Sequence, residues 1–158
     1  MTAPTIHRSG YVRRYHSNAD LAHIGDTDAH HHGQVVQIIF QLEPRPSLDL
    51  LYEAAHHDCG ELDIGDMSAP AKQEDPVMAA MVAAREKSRR AEIGCPVRLL
   101  KYRDSILLKL ADRLQSYLHV GHVAPHILDQ PKWVASRRAI LGFAWHVDVG
   151  AQVEGMLK

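Results

Sequence analysis

Cysteine is scarce in this chain. Cys59 and Cys95 are the only two, and they form neither a CxxC pair nor a disulfide framework. That argues against a thiolate-bound structural zinc and a disulfide-stapled scaffold. Long apolar runs are missing too: no stretch of 18 apolar residues and no apolar N-terminal signal occurs, so neither a membrane span nor a secretory leader is expected. A soluble, cytoplasmic protein with reduced thiols is the expectation. A net charge of -1, with both signs interspersed, provides no footprint for a nucleic-acid polymer or an anionic membrane. A small anionic ligand in a local pocket stays open. Alternating strand patterns, repeats and low-complexity segments are absent as well, which leaves an all-α fold. With 158 residues, one domain with a sizeable core fits and two ordinary ones do not.

Histidine, by contrast, is plentiful, at twelve residues, a pointer toward metal. Residues 1–29 hold Pro4, Gly10, Asn18 and Gly25 with few periodic apolar positions, and read as a loop with a short turn of helix. The helical core is expected over 30–149. From Asp28, as cap, Val35, Val36, Ile38, Ile39, Phe40 and Leu42 predict a buried helix ending before Pro44. His32 lies one turn ahead of Val35 and Val36 and should face the core, while His30 and His31 should face solvent. For a lone histidine so placed, a satisfied core or capping role is the commoner one. Ser47 caps the next helix, which should carry His57 and Asp58 at its end. Asp75-Pro76 starts a helix over Val77 to Ile93, with Arg85 to Glu92 as a solvated charged face, stopped by Gly94-Cys-Pro96. Val97 to Val120 predicts the longest helix, Gly121 to Pro131 a loop, and Lys132 to about Val149 a last helix.

Ionisable residues gather where a core would want none. His57 and Glu61 are four apart and Asp58 and Glu61 three apart, so they converge if the helix continues through Cys59-Gly60. Asp66 follows behind Gly65, then Met67-Ser-Ala-Pro-Ala-Lys72 reads as a connecting loop. Asp112 sits at the edge of an apolar helix face, where an aspartate without a partner is uncommon. Two histidines and two aspartates would make a mixed N/O site suited to Mn, Co, Fe, Ni or Zn. Such an ion lowers the pKa of bound water toward about 7 and polarises phosphoryl oxygens.

A histidine, then an adjacent His-Asp, then a distant Asp on a helix resembles the order found in HD-domain phosphohydrolases. The stretch His57-Asp58-Cys-Gly-Glu61-Leu-Asp-Ile-Gly65-Asp66-Met-Ser-Ala-Pro70-Ala-Lys72 is similar to the HD-x-x-E-x-x-x-G-D-x-x-x-P-x-K signature of small bacterial and phage HD-domain 5′-deoxynucleotidases. Phage HD-domain triphosphohydrolases acting on deoxyadenosine triphosphate are similar in size and site. The likeness runs from about Arg13 to about His119. It implies one compact HD-domain helical bundle over 1–158, with His32, His57, Asp58 and Asp112 holding a divalent transition metal (Co, Mn, Zn, Ni or Fe), and Mg as a further phosphate-bound ion. Glu61 would act on the attacking water or the leaving group. Arg14-Tyr15 occupy the place of an Arg-Trp pair in the family, and His31 stands where the family usually has Glu.

The activity implied is removal of phosphate from a 2′-deoxynucleotide, either monophosphate to deoxynucleoside plus phosphate or triphosphate to deoxynucleoside plus triphosphate. Arg14 and Lys72 would meet the phosphate, with Arg13 as an alternative to Arg14. Tyr15 would pack near the sugar, and Asp66 would accept from its 3′-hydroxyl. The expected partners are this small-molecule substrate and further copies of the chain, in the host cytoplasm if the chain is phage-encoded. Hydrolysis of another phosphorylated small molecule, or a non-catalytic regulatory HD module, are the alternatives.

Overall fold

The computed structural model describes residues 6–67, 72 and 74–158, and among these the fold is all-α. The helices are α1 (Ile6–Ser9), α2 (Asp28–Leu42), α3 (Leu48–His56), α4 (Pro76–Glu92), α5 (Tyr102–Val123), α6 (Pro131–His146) and α7 (Gly150–Met156). Short 3-10 turns occupy Cys59–Glu61 and Pro125–Ile127. The chain forms two compact units, one of Met1–His32 and His56–Val97, the other of Gly33–Ala55 and Arg98–Lys158. No helix among the described residues is long and apolar enough to cross a membrane.

The second unit holds an ordinary apolar core. Val35, Ile39, Leu50, Leu107, Leu110, Leu114, Ile140 and Val153 are fully buried. Leu107, Leu110, Ala111 and Leu114 make one stripe of α5, and each large side chain removed from water contributes about 1.5–3 kcal/mol. Ser47 caps α3 as its sequence suggests, its Oγ accepting from the Leu50 N–H at 3.1 Å. α5 begins at Tyr102 rather than Val97, and Leu99 is 96% exposed. The reason is local. The Arg98 N–H donates to Glu53 Oε1 at 2.6 Å, and its guanidinium lies 4.4 Å over the Tyr52 ring and 3.1 Å from Asp49. These contacts hold the segment outside a helix. At the other end α5 runs through Gly121 to Val123, where a loop is expected from sequence. α6 stops at His146, short of the expected end near Val149, and α7 follows where no further helix is expected from sequence.

The first unit is different. Its fully or nearly buried apolar residues are few, chiefly Leu21, Cys59, Leu62, Ile93 and Cys95. Arg14, Asp26, Asp28, His31, His32, Glu61 and Arg90 are buried beside them. The segment 10–14 runs antiparallel to the entry of α2: Arg13 bridges Thr27, the Asp28 N–H donates to Val12 O at 3.1 Å, and the Arg14 N–H donates to Asp26 O at 3.2 Å. α4 has the expected cap, Asp75 accepting from the Met78 N–H at 2.9 Å with Pro76 at the first position. It ends at Glu92, and Gly94, two residues on, has a φ of +80° that suits glycine. The charged half of α4 is mostly solvated, with one exception. Arg90 is buried and its Nε donates to Cys95 O at 3.1 Å.

Candidate functional site

α2 brings His31 and His32 into the first unit, and the turn after α3 brings His57 and Asp58. α3 does not continue through Cys59-Gly60 as an α-helix. The chain tightens into the 3-10 turn Cys59–Glu61, because the turn lies directly on α4: a Cβ on Gly60 would stand 2.4 Å from the Glu86 carbonyl oxygen. Only glycine permits that approach.

His31 departs furthest from expectation. It is fully buried rather than solvent-facing, and its Nε2 lies 3.1 Å from His57 Nε2 and 3.5 Å from Asp58 Oδ2. His57 Nε2 lies 3.4 Å from the same carboxylate oxygen. His31, His57 and Asp58 form a group that could hold a metal ion. The three edges, 3.1, 3.4 and 3.5 Å, fit a single ion. Ligand atoms this close together could each meet one ion at the usual ~2.1 Å. Two imidazoles and a carboxylate are also a donor set that borderline first-row ions accept.

His32 is adjacent. Its Nε2 lies 4.0 Å from Asp58 Oδ2, and the Asp58 N–H donates to that nitrogen at 3.4 Å. Burial, then the neighbouring His57, pushes its pKa down to about 3, so it is a neutral acceptor. Asp112 is half-buried on α5, in the second unit, one residue after the buried Ala111.

Of the two N-terminal cations Arg14 turns inward and Arg13 is exposed. Arg14 Nη1 donates to Asp58 Oδ2 at 2.9 Å, and the guanidinium lies 3.8 Å from both Asp26 and Asp28. Tyr15 adopts φ +60°, uncommon for a residue with a side chain, and its N–H donates to Asp66 Oδ2 at 2.9 Å. Asp66 thus holds the Arg14-Tyr15 segment in place. Lys72 Nζ pairs with Glu86 on α4 at 3.3 Å. Burial alone would lower the Lys72 pKa, but the charges of Glu86, Glu61 and Asp58 raise it, so the amine stays charged. The expected loop ahead of Lys72 falls on residues 68–71, which lie outside the described residues.

Glu61 is 4% exposed, and its Oε2 accepts no hydrogen bond among the described residues. Burial first, then the charges of Asp58, Asp28 and Asp66, push its pKa up to about 10. Asp28, also buried, is pushed up to about 8 by burial and then by Asp58, against the pull of Arg14. Sequence patterning did not single out Asp28 or His31 for the site. A signal existed for the second: His31, Val35 and Ile39 follow an i, i+4, i+8 line on α2, and all three are fully buried.

These shifts make stability depend on pH. Asp28 and Glu61 hold protons in the folded protein that the unfolded chain releases above about 3.8 and 4.5, so each lowers stability as pH rises toward its folded value. His32 acts oppositely, but only between about 3 and 6.5. From pH 6.5 to 8 both carboxyls act in this direction, at up to about 1.4 kcal/mol per pH unit each. In the presence of a chelator, melting temperature is expected to fall across that window, and to fall less steeply in Asp28→Asn. A flat profile in the unaltered protein contradicts the buried-acid reading.

Searches of protein-family models, curated proteins and solved structures return no match to the chain.

Proposed function

We propose that the chain is a metal-dependent phosphohydrolase of the HD-domain kind, which removes phosphate or triphosphate from a 2′-deoxynucleotide. The observation that carries the reading is the close triangle of His31 Nε2, His57 Nε2 and Asp58 Oδ2 with a buried arginine and a buried carboxylic acid in the same unit. Such a concentration of charge in a unit with few apolar residues is costly unless a ligand uses it. The signature from His57 to Lys72 supports the same class.

In this reading His31, His57 and Asp58 bind the metal, and His32 orients Asp58 through its backbone N–H. A divalent transition ion there supplies Lewis-acid polarisation of a phosphoryl oxygen and a water acidic enough to attack near neutral pH. Arg14, whose five N–H donors suit phosphate oxygens, and Lys72, as a point charge, bind the anion. Glu61 moves the proton. As a neutral acid it can protonate a leaving oxygen; when a cation joins the cluster it is drawn toward the ionised form that orients water. Tyr15 packs against the sugar, and the second oxygen of Asp66 accepts from the 3′-hydroxyl.

The test is release of phosphate, pyrophosphate and triphosphate from deoxy- and ribonucleotide mono-, di- and triphosphates, with Co²⁺ or Mn²⁺ supplied. Release of phosphate or triphosphate from a deoxynucleotide, lost with chelator, is the expected result. Release from a different phosphorylated compound alone would move the substrate class, and metal binding without any release would leave a regulatory module.

A further inference from the structure

We propose that Cys59 and Cys95 close to a disulfide that ties the turn carrying Asp58 and Glu61 to the end of α4. Both are thiols, both are buried, and Cys59 Sγ donates to Cys95 Sγ at 2.9 Å. A covalent S–S bond of ~2.05 Å needs the sulfurs to move only about 0.9 Å closer. The backbone at each end is held in register for this. Cys59 opens the 3-10 turn whose Gly60 lies against the Glu86 carbonyl. Cys95 follows the Gly94 turn, its N–H donating to Arg90 O at 2.7 Å and its carbonyl accepting from Arg90 Nε at 3.1 Å.

The pair belongs to none of the roles assigned above, and it is the reverse of the reduced-thiol expectation from composition. The chemistry balances with a small disulfide such as glutathione disulfide as oxidant. One cysteine thiolate attacks it, forming a mixed disulfide and releasing one glutathione thiolate. The second cysteine thiolate then attacks the protein sulfur of that mixed disulfide, the Cys59–Cys95 bond forms, and the second glutathione leaves. Two protein thiols are oxidised and one glutathione disulfide is reduced. Because both sulfurs are buried, exchange proceeds through opening of the turn, and the finished bond is shielded from reductant in the same way. The cross-link spans 36 positions of chain, a separation at which closing the loop restricts the unfolded ensemble appreciably.

The full chain, equilibrated with reduced or oxidised glutathione, is unfolded in a thiol-alkylating reagent and its intact mass measured. After oxidation the expected result is a monomer with no alkylated cysteine and a mass about 2 Da below the unalkylated dithiol form. Its melting temperature should exceed that of the reduced protein by roughly 5 to 15 °C. Cys59→Ser and Cys95→Ser should each leave one reactive thiol or one glutathione adduct and show no such rise. Two alkylated cysteines in the oxidised protein, or cross-links found only between chains, overturn the proposal. A disulfide formed without a rise in melting temperature overturns the tie to the turn. The main readout uses the unaltered chain, so a variant that fails to fold does not decide the matter.

Discussion

His31→Gln is expected to lower metal affinity by about 100-fold or more, a larger loss than for His32→Gln. The ground is distance. Nε2 of His31 belongs to the set of ligand atoms within reach of one ion, whereas His32 Nε2 stands 4.0 Å from Asp58 Oδ2 and accepts that residue's backbone N–H. Removing a ligand breaks the donor set; removing the neighbour only loosens the orientation of Asp58. Glutamine keeps a polar side chain at a fully buried position, and helical circular dichroism in both variants separates loss of metal from loss of fold. Titration with Co²⁺, followed by its absorption, reads the affinity. Full binding by His31→Gln together with loss in His32→Gln would restore His32 as the ligand, as the family resemblance implies.

Glu61→Gln should retain its metal and lose about 10²- to 10⁴-fold in turnover on the nucleotide identified by the release assay. Glu61 is buried beside the charges that raise its pKa, those of Asp58, Asp28 and Asp66, so its proton is both retained and close to the site. The amide has nearly the same shape but can neither give nor take that proton. A fall in kcat with KM little changed is the signature of a proton role, since binding contacts are preserved. Unchanged turnover would falsify that role and leave the metal to activate the water alone.

The local pattern of the chain settled a good deal. Helix starts at Ser47 and Asp75-Pro76 follow from capping chemistry that acts over three or four residues, and the folded chain uses both caps as expected. Asp28, expected as the cap of α2, instead lies buried in its first turn, and neither carboxylate oxygen accepts a hydrogen bond among the described residues. The absence of strand patterns was likewise enough for the all-α class. The adjacency of His57 and Asp58, and the spacing to Glu61, lie within one short stretch and were legible for the same reason.

Tertiary structure decided what depends on neighbours distant in sequence. Gly60 meets the Glu86 carbonyl, which turns an expected helical continuation into a 3-10 turn. Arg98 meets Glu53, Asp49 and Tyr52, which delays α5. Arg14, not Arg13, turns inward because Asp26, Asp28 and Asp58 converge on one side of its strand-like segment. His31 and His32 differ by one position on a helix, a rotation of about 100°, and both had apolar neighbours at helical spacing. Which imidazole set its Nε2 nearer to Asp58 Oδ2, and close to His57 Nε2, was therefore decided by packing against a turn 26 residues away, a contact that no pattern within α2 encodes.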